Sequence, residues 1–164
     1  MTQSTKTPSL HLFCGKMAAG KSTLARELAT RHGAVLISED EWLSLLYPEG
    51  INTLQDYLTC SSRLKRVLKD HIRTLLAEGV SVILDFPGNT KTQRAWLRSL
   101  YIDNGVDHVL HYVDRTNADC LVQLKKRNQE KAEGSKFTTP EEFMMVTGYF
   151  EPPMETEGFN IHRH

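Results

Sequence analysis

The 164-residue sequence has no excess charge of either sign: Lys plus Arg total 20, and so do Asp plus Glu. It therefore lacks the global basic field that gathers nucleic acid, although a local basic groove is compatible with the composition. It is also poor in cysteine. Cys14, Cys60 and Cys120 are odd in number, far apart and form no C-x-x-C. That pattern argues against a disulfide frame or a zinc-cysteine site and fits reduced thiols in a cytoplasmic protein. No apolar run approaches the roughly 20 residues that span a bilayer. The opening MTQSTKTPS has no apolar centre of the kind a secretory signal carries. Repeats, low-complexity tracts and dividing linkers are missing as well.

What is present is ordinary for a soluble domain: 40% apolar and 24% charged residues. Residues 1–8 are polar and read as a disordered lead, and residues 9–164 as a single domain. Leu10 to Cys14 is a short apolar run that stops at Gly15. Lys21 to His32 carries Leu24, Ala25, Leu28 and Ala29 on one face and ends at Gly33. This spacing predicts a strand, a glycine loop and a helix with a glycine stop. A second strand is expected over Ala34 to Ile37. Ser38 with Glu41 suggests a capping box opening a helix through Leu46. Leu54 to Glu78 repeats apolar residues at three- and four-residue steps, as a long helix does. Further strands are expected over Val80 to Leu84, Val106 to Val113 and Phe159 to Arg163. Further helices are expected over Thr90 to Asn104, Thr116 to Lys131 and, after Pro140, Glu141 to Phe150. Glu133 to Thr139 reads as a polar loop. Strands alternating with helices imply an α/β fold with a parallel sheet and right-handed crossovers.

The loop between the first strand and first helix reads Gly15-Lys16-Met17-Ala18-Ala19-Gly20-Lys21-Ser22-Thr23. It matches G-x-x-x-x-G-K-[ST], whose main-chain N–H groups cradle nucleotide phosphates. Residues 15–23 are therefore the candidate nucleotide-binding set. Lys21 would reach the β- and γ-phosphates, and the Ser22 hydroxyl would ligate Mg²⁺. Asp85 closes the run V-S-V-I-L-D. A carboxylate presented there faces the same Mg²⁺, so Ser22 and Asp85 form the candidate metal pair with ATP and Mg²⁺ as cofactors.

A phosphate-binding loop serves hydrolysis, switching or transfer. Asp85-Phe86-Pro87-Gly88 is D-x-x-G, a γ-phosphate sensor in GTPases, and Thr116-Asn117-Ala118-Asp119 loosely resembles a guanine-reading motif. Asn117 stands where that motif needs Lys, and two helical patterns fill the stretch where a switch protein places a mobile loop. Transfer to a hydroxyl needs an acid near the acceptor and mobile positive charge over the phosphoryl group. Asp40, in I-S-E-D-E-W, lies just past the second strand. Ligands of parallel sheets sit at the strands' carboxyl ends, so Asp40 is the candidate general base. Arg127 and Lys131 share a face of the basic helix end. They are the candidate catalytic cations of a lid around residues 125–140 that closes on ATP.

In order along the chain, GKMAAGKST, ISEDEW, VILDFPGNT and LKKRNQEK resemble a family of small P-loop kinases. These are grouped with the polynucleotide 5′-kinase domain, zeta toxins and chloramphenicol phosphotransferase. The resemblance covers nearly all of residues 10–163. It implies a three-layer α/β/α P-loop NTPase fold with a five-stranded parallel sheet in order 2-3-1-4-5. Matching positions imply Asp40 as base, Arg127 and Lys131 as lid cations, and Asn89 near the acceptor. Polynucleotide kinases carry an Arg three residues after the base, where this chain has Leu43. With zero net charge, that departure argues against a nucleic-acid acceptor and for a small hydroxylated molecule. A regulator acting through a partner, or a polynucleotide 5′-hydroxyl kinase, are the alternatives.

Trp42 is a candidate wall of the acceptor pocket, with core packing the competing reading. Arg63 and Arg94 are candidates for an anionic group on the acceptor. His108 and His111 lie three apart on a strand and so point to opposite faces. His162 and His164 can share a face, but no third ligand is evident from the sequence, and no metal is expected there.

Overall fold

The computed structural model describes residues 7–131 and 138–164. The sheet has five parallel strands in the order β2-β3-β1-β4-β5. The strands are β1 (Ser9–Cys14), β2 (Val35–Ser38), β3 (Val82–Asp85), β4 (Asp107–Tyr112) and β5 (Ile161–Arg163). The helices are α1 (Lys21–His32), α2 (Glu39–Leu46), α3 (Leu54–Ala77), α4 (Lys91–Arg98), α5 (Asn117–Glu130) and α6 (Pro140–Thr147). This is the P-loop NTPase arrangement, with helices on both faces. Residues 1–6 of the expected disordered lead lie outside the described residues. So do residues 132–137, which take in most of the expected polar loop and the middle of the expected lid.

Strands buried on both faces need apolar residues without alternation. In β1, Leu10, Leu12 and Cys14 enter one core with Ile37, Val82, Leu84 and the apolar stripe of α3 (Leu64, Leu68, Ile72, Leu76). Phe13 points the other way and packs with Ile83 and with Ala25 and Leu28 of α1. Val113, Cys120, Leu124 and Phe143 close a third cluster around Ala19 of the glycine loop. The Cys14 thiol is buried, and burial pushes it up to about 11, so it packs as a small apolar group.

Helix α6 stops at Thr147 instead of Phe150 and strand β5 starts at Ile161 instead of Phe159, and two further boundaries differ from the sequence expectation for local reasons. Helix α4 stops at Arg98 instead of Asn104. Ser99 N bonds to both Ala95 O (3.2 Å) and Trp96 O (3.0 Å), and Ser99 Oγ donates to Trp96 O at 2.6 Å. That side-chain bond competes with the helix, and turns follow to Gly105. Strand β3 starts at Val82 because Val80 N is used to close α3 on Leu75 O (2.9 Å) after Gly79. A short 3-10 turn at Glu155–Glu157 was not legible beforehand.

Arg94 requires a correction. It is fully buried, and every N–H of its guanidinium has an acceptor within the chain. Nε meets Glu157 Oε1 (2.8 Å), Nη2 meets Glu157 Oε2 (3.1 Å) and Pro152 O (3.5 Å), and Nη1 meets Gly88 O (2.9 Å) and Glu151 O (2.8 Å). No donor is left for an acceptor molecule. Arg94 is a clamp that ties the 150–158 connector to α4 and to the loop after β3. Removing one partner of such a pair strands the other and its carbonyls. Arg94→Met should lower the unfolding free energy by about 3–5 kcal/mol in urea denaturation. A loss under about 1 kcal/mol, the size of an exposed pair, would contradict the clamp.

Candidate active site

The ladder aligns the carboxyl ends of four strands. Ser38 of β2 pairs with Asp85 of β3, and Cys14 of β1 pairs with Tyr112 of β4. Gly15 leaves the sheet directly after Cys14, and Asp40 stands two residues past Ser38. At this end of the sheet Asp40 is within electrostatic reach of Lys21, Asp85 and Arg127, and Lys21 within reach of Asp85.

The glycine loop is held from below and open above. Gly15 presses against the Val113 carbonyl, where an added Cβ would sit 2.7 Å from that oxygen. Gly20 has φ +104°, a conformation that side chains rarely adopt, and Ala18 is held at φ +60°. Asn89 Oδ1 accepts from Gly15 N at 2.9 Å, and Ala19 N closes on Lys16 O at 3.1 Å. Helices α2 to α6 each have a Ser or Thr side chain capping their first turn, whereas Gly20 caps α1 with no side chain. The N–H groups of α1's first turn are therefore directed at the mouth of the loop with the positive end of the helix dipole. Met17 and Ala18 pack against the Val113 cluster, and Lys16 Nζ donates to Arg115 O at 3.1 Å.

Lys21 Nζ donates to the carbonyls of Gly15 and of Lys16, the latter at 2.9 Å. Burial pulls its pKa below the ordinary lysine value, while Asp85 and Asp40 act the other way. The carboxylates of Asp40 and Asp85 make no hydrogen bond or ion pair with any described residue. Asp40 has an exposed face, but the cleft strips enough water from it to raise its pKa. Asp85 adds to that rise, and Arg127 and Lys21 oppose it. The donor set fits the groups expected of it: a loop of open N–H groups and a lysine for phosphates, and a hydroxyl and a carboxylate, Ser22 and Asp85, as hard oxygen ligands for Mg²⁺.

Glu39, the residue before Asp40 in I-S-E-D-E-W, positions it. It is buried, and its carboxylate accepts from Tyr57 OH and from Ser61 Oγ (2.8 Å), both on α3. These bonds fix the first turn of α2, including Asp40, against α3. No spacing signal reveals a contact that spans some twenty residues. Trp42 lies on the same helix and is exposed at 36%, so it is not a core residue. Asn89 serves the loop through Oδ1, its own N–H reaches Gln93 Oε1 (2.8 Å), and its carbonyl accepts from Glu151 N (2.8 Å). Only its Nδ2 is left for the cleft. Lys131 is the C-cap of α5 and lines a cavity of about 800 Å³ with Leu121, Lys125, Thr138 and Pro140.

The two GTPase-like patterns acquire other roles. Gly88 abuts Phe13 O, where a Cβ would lie 2.4 Å away, and its carbonyl is held by Arg94. The D-x-x-G segment is thus locked in place. Asp119 exchanges hydrogen bonds with Thr116, as Asp119 N donates to Thr116 Oγ1 (3.1 Å) and Thr116 Oγ1 to Asp119 Oδ2 (2.8 Å). Its carboxylate is spent on capping α5.

No helix among the described residues is long and apolar enough to cross a membrane. No curated protein matches the chain. Solved structures of the same fold do. The Kti12 protein of Chaetomium thermophilum, in complex with ADP-AlF3, superposes with a TM-score of 0.67 at 16% identity, covering 94% of this chain and 88% of that one. A gluconokinase from Sinorhizobium meliloti 1021 superposes at 0.63 with 14% identity, covering 96% and 82%. The Mycobacterium tuberculosis APS kinase CysC, in complex with AMPPNP and APS, does so at 0.58 with 22% identity, covering 90% and 84%. At these identities the likeness establishes the fold. The AAA_33 family, described as an AAA domain, matches residues 10–153, most of the chain, and to that family of P-loop proteins the chain belongs.

Proposed function

We propose that the protein is an ATP- and Mg²⁺-dependent phosphotransferase that moves the γ-phosphoryl group to a hydroxyl of a small molecule. The observation that carries this reading is the convergence of Lys21, Asp40, Asp85 and Arg127 beside the uncapped start of α1. A switch protein needs the loop and metal ligand but has no use for a second, unpartnered carboxylate on the neighbouring strand end. The locked D-x-x-G segment also weighs against a switch.

In this mechanism the amides of residues 15–23 and Lys21 bind the phosphates. Ser22 and Asp85 would hold Mg²⁺, which when bound offsets phosphate charge. Asp40 orients the acceptor hydroxyl and takes its proton as the hydroxyl oxygen bonds to the γ-phosphorus. The bond from that phosphorus to the β–γ bridging oxygen breaks, and ADP leaves. Arg127, with Lys131 from the same helix end, supplies positive charge to the transferring group. Trp42 and Asn89 Nδ2 border the acceptor side. Zero net charge and Leu43 three positions after Asp40 favour a small acceptor over a polynucleotide.

ADP release measured across a panel of sugars, amino alcohols, antibiotics, nucleosides and a 5′-hydroxyl oligonucleotide tests the reading. One class of small hydroxyl compound should stimulate turnover. Asp40→Asn should lower that stimulated rate by about 10²–10⁴-fold, the usual worth of a positioned base, with ATP affinity changed by less than about 3-fold. Turnover that no acceptor stimulates, and that Asp40→Asn leaves intact, would overturn it.

The same carboxylate has a stability signature. With a raised folded pKa, the folded chain holds the Asp40 proton more tightly than the unfolded chain does. The stability tied to this proton is complete below the unfolded pKa and is lost as pH rises through the raised value. Asp40→Asn, which does not titrate, should therefore melt at a higher temperature than the wild type near neutral pH without ligands. The difference should close as pH falls to the ordinary carboxylate range. A variant that melts lower at neutral pH would contradict the assignment of Asp40 to an unpaired, water-poor position.

A further inference from the structure

We propose that His111, His162 and His164 form a three-imidazole site for a divalent transition-metal ion at the β4–β5 edge of the sheet, apart from the phosphate-binding cleft. Parallel pairing sets His111 of β4 beside His162 of β5. Strand alternation brings His164, two residues on, to the same face. The sequence leaves His162 and His164 without a third ligand, and the β4–β5 register supplies it.

The geometry is close to that of a bound ion. One ring nitrogen from each histidine lies within 4.8 Å of the others. His111 Nδ1 and His164 Nε2 are 2.9 Å apart. Two nitrogens bound at about 2.0–2.1 Å to one ion sit roughly 2.9–3.4 Å apart for bond angles between right-angled and tetrahedral. His162 and His164 are exposed and stacked with ring centroids 4.6 Å apart, so small rotations suffice to bring the third nitrogen in.

The support behind the ligands is already built. A metal-binding histidine is usually oriented by a hydrogen bond from its other nitrogen. His111 Nε2 is bonded to His11 Nδ1 (2.9 Å), and His11 Nε2 to Ser9 Oγ (3.0 Å). The His111 ring is buried and lies against Phe13 at 5.3 Å between centroids, which fixes its plane. All three ligands are imidazoles, which select Zn²⁺, Co²⁺, Ni²⁺ or Cu²⁺ over Mg²⁺. A fourth position is left to water. One ligand, His162, belongs to the three-residue edge strand β5 and another, His164, directly follows it, so the ion would staple that strand to β4.

Zn²⁺ titration of the chelator-stripped full chain, followed by calorimetry, tests the proposal. It should show one ion bound per chain and a rise in melting temperature. Co²⁺ should give the visible absorption of a low-coordinate site. His162→Ala and His164→Ala, both at exposed positions, should each weaken Zn²⁺ binding at least ~10-fold, and together abolish it and the melting shift. His71→Ala, on the exposed side of α3, should change neither. Absence of Zn²⁺ binding by the wild type, or binding that survives the double substitution, would overturn the site and mean that the histidines form only a stacked hydrogen-bonded row. Mg·ATP binding and acceptor phosphorylation by the double variant should be unchanged, which keeps this test separate from that of the phosphotransferase reading.

Discussion

The parallel ladder through β2, β3 and β1 is the constraint on which the candidate site depends. A parallel register ends neighbouring strands side by side. Here it sets Ser38 opposite Asp85, with the glycine loop leaving β1 at the same level. Three short segments far apart in sequence thereby contribute the proposed base, the proposed metal ligand and the glycine loop to one cleft. None of these groups is held there by bonding to another. Asp40 and Asp85 are like charges brought together by backbone geometry; burial first, and the Asp85 charge after it, raise the pKa of Asp40 against the pull of Arg127 and Lys21. Such an arrangement costs stability and is expected where binding or chemistry supplies the missing partners.

The sheet alone does not aim the side chains. Buried polar contacts outside the cleft do so. Glu39 ties α2 to Tyr57 and Ser61, which directs Asp40. Asn89 joins the loop after β3 to Gly15 by a hydrogen bond, which ties the glycine loop to the segment that follows Asp85. Arg94 holds the far side of that loop through Gly88 and joins it to the chain's last turn at Glu157. Buried networks of this kind are stabilising only when every member is satisfied, and the Arg94 guanidinium has a partner for each N–H. Rigid support beneath an open, unpartnered cleft is what preorganised transfer chemistry requires.

Much of this was legible in the sequence because it depends on local rules. The glycine loop has a fixed spacing, the strand before it is an uninterrupted apolar run, and Asp85 and Asp40 follow strands whose ends a parallel fold must align. The strand order itself came from resemblance to a family and not from periodicity. What could not be read depends on long-range partners. Arg94 looks like a solvated helix residue, and only the return of residues 150–158 buries it. Glu39 looks like one of three equivalent acids until α3 is placed against it. His111, His162 and His164 become neighbours only through the register of the edge strand, and a helix limit such as Arg98 rests on one serine hydroxyl bonding its own backbone.

Calorimetric titration with Mg·ATP probes the central claim, that the open amides of the glycine loop and Lys21 form a triphosphate cradle facing Asp85. The account predicts one nucleotide per chain, with binding weakened by at least ~10-fold in Lys21→Met and strongly dependent on Mg²⁺ in the wild type but not in Asp85→Asn. Absence of nucleotide binding by the folded wild type, or binding indifferent to both substitutions, would contradict it.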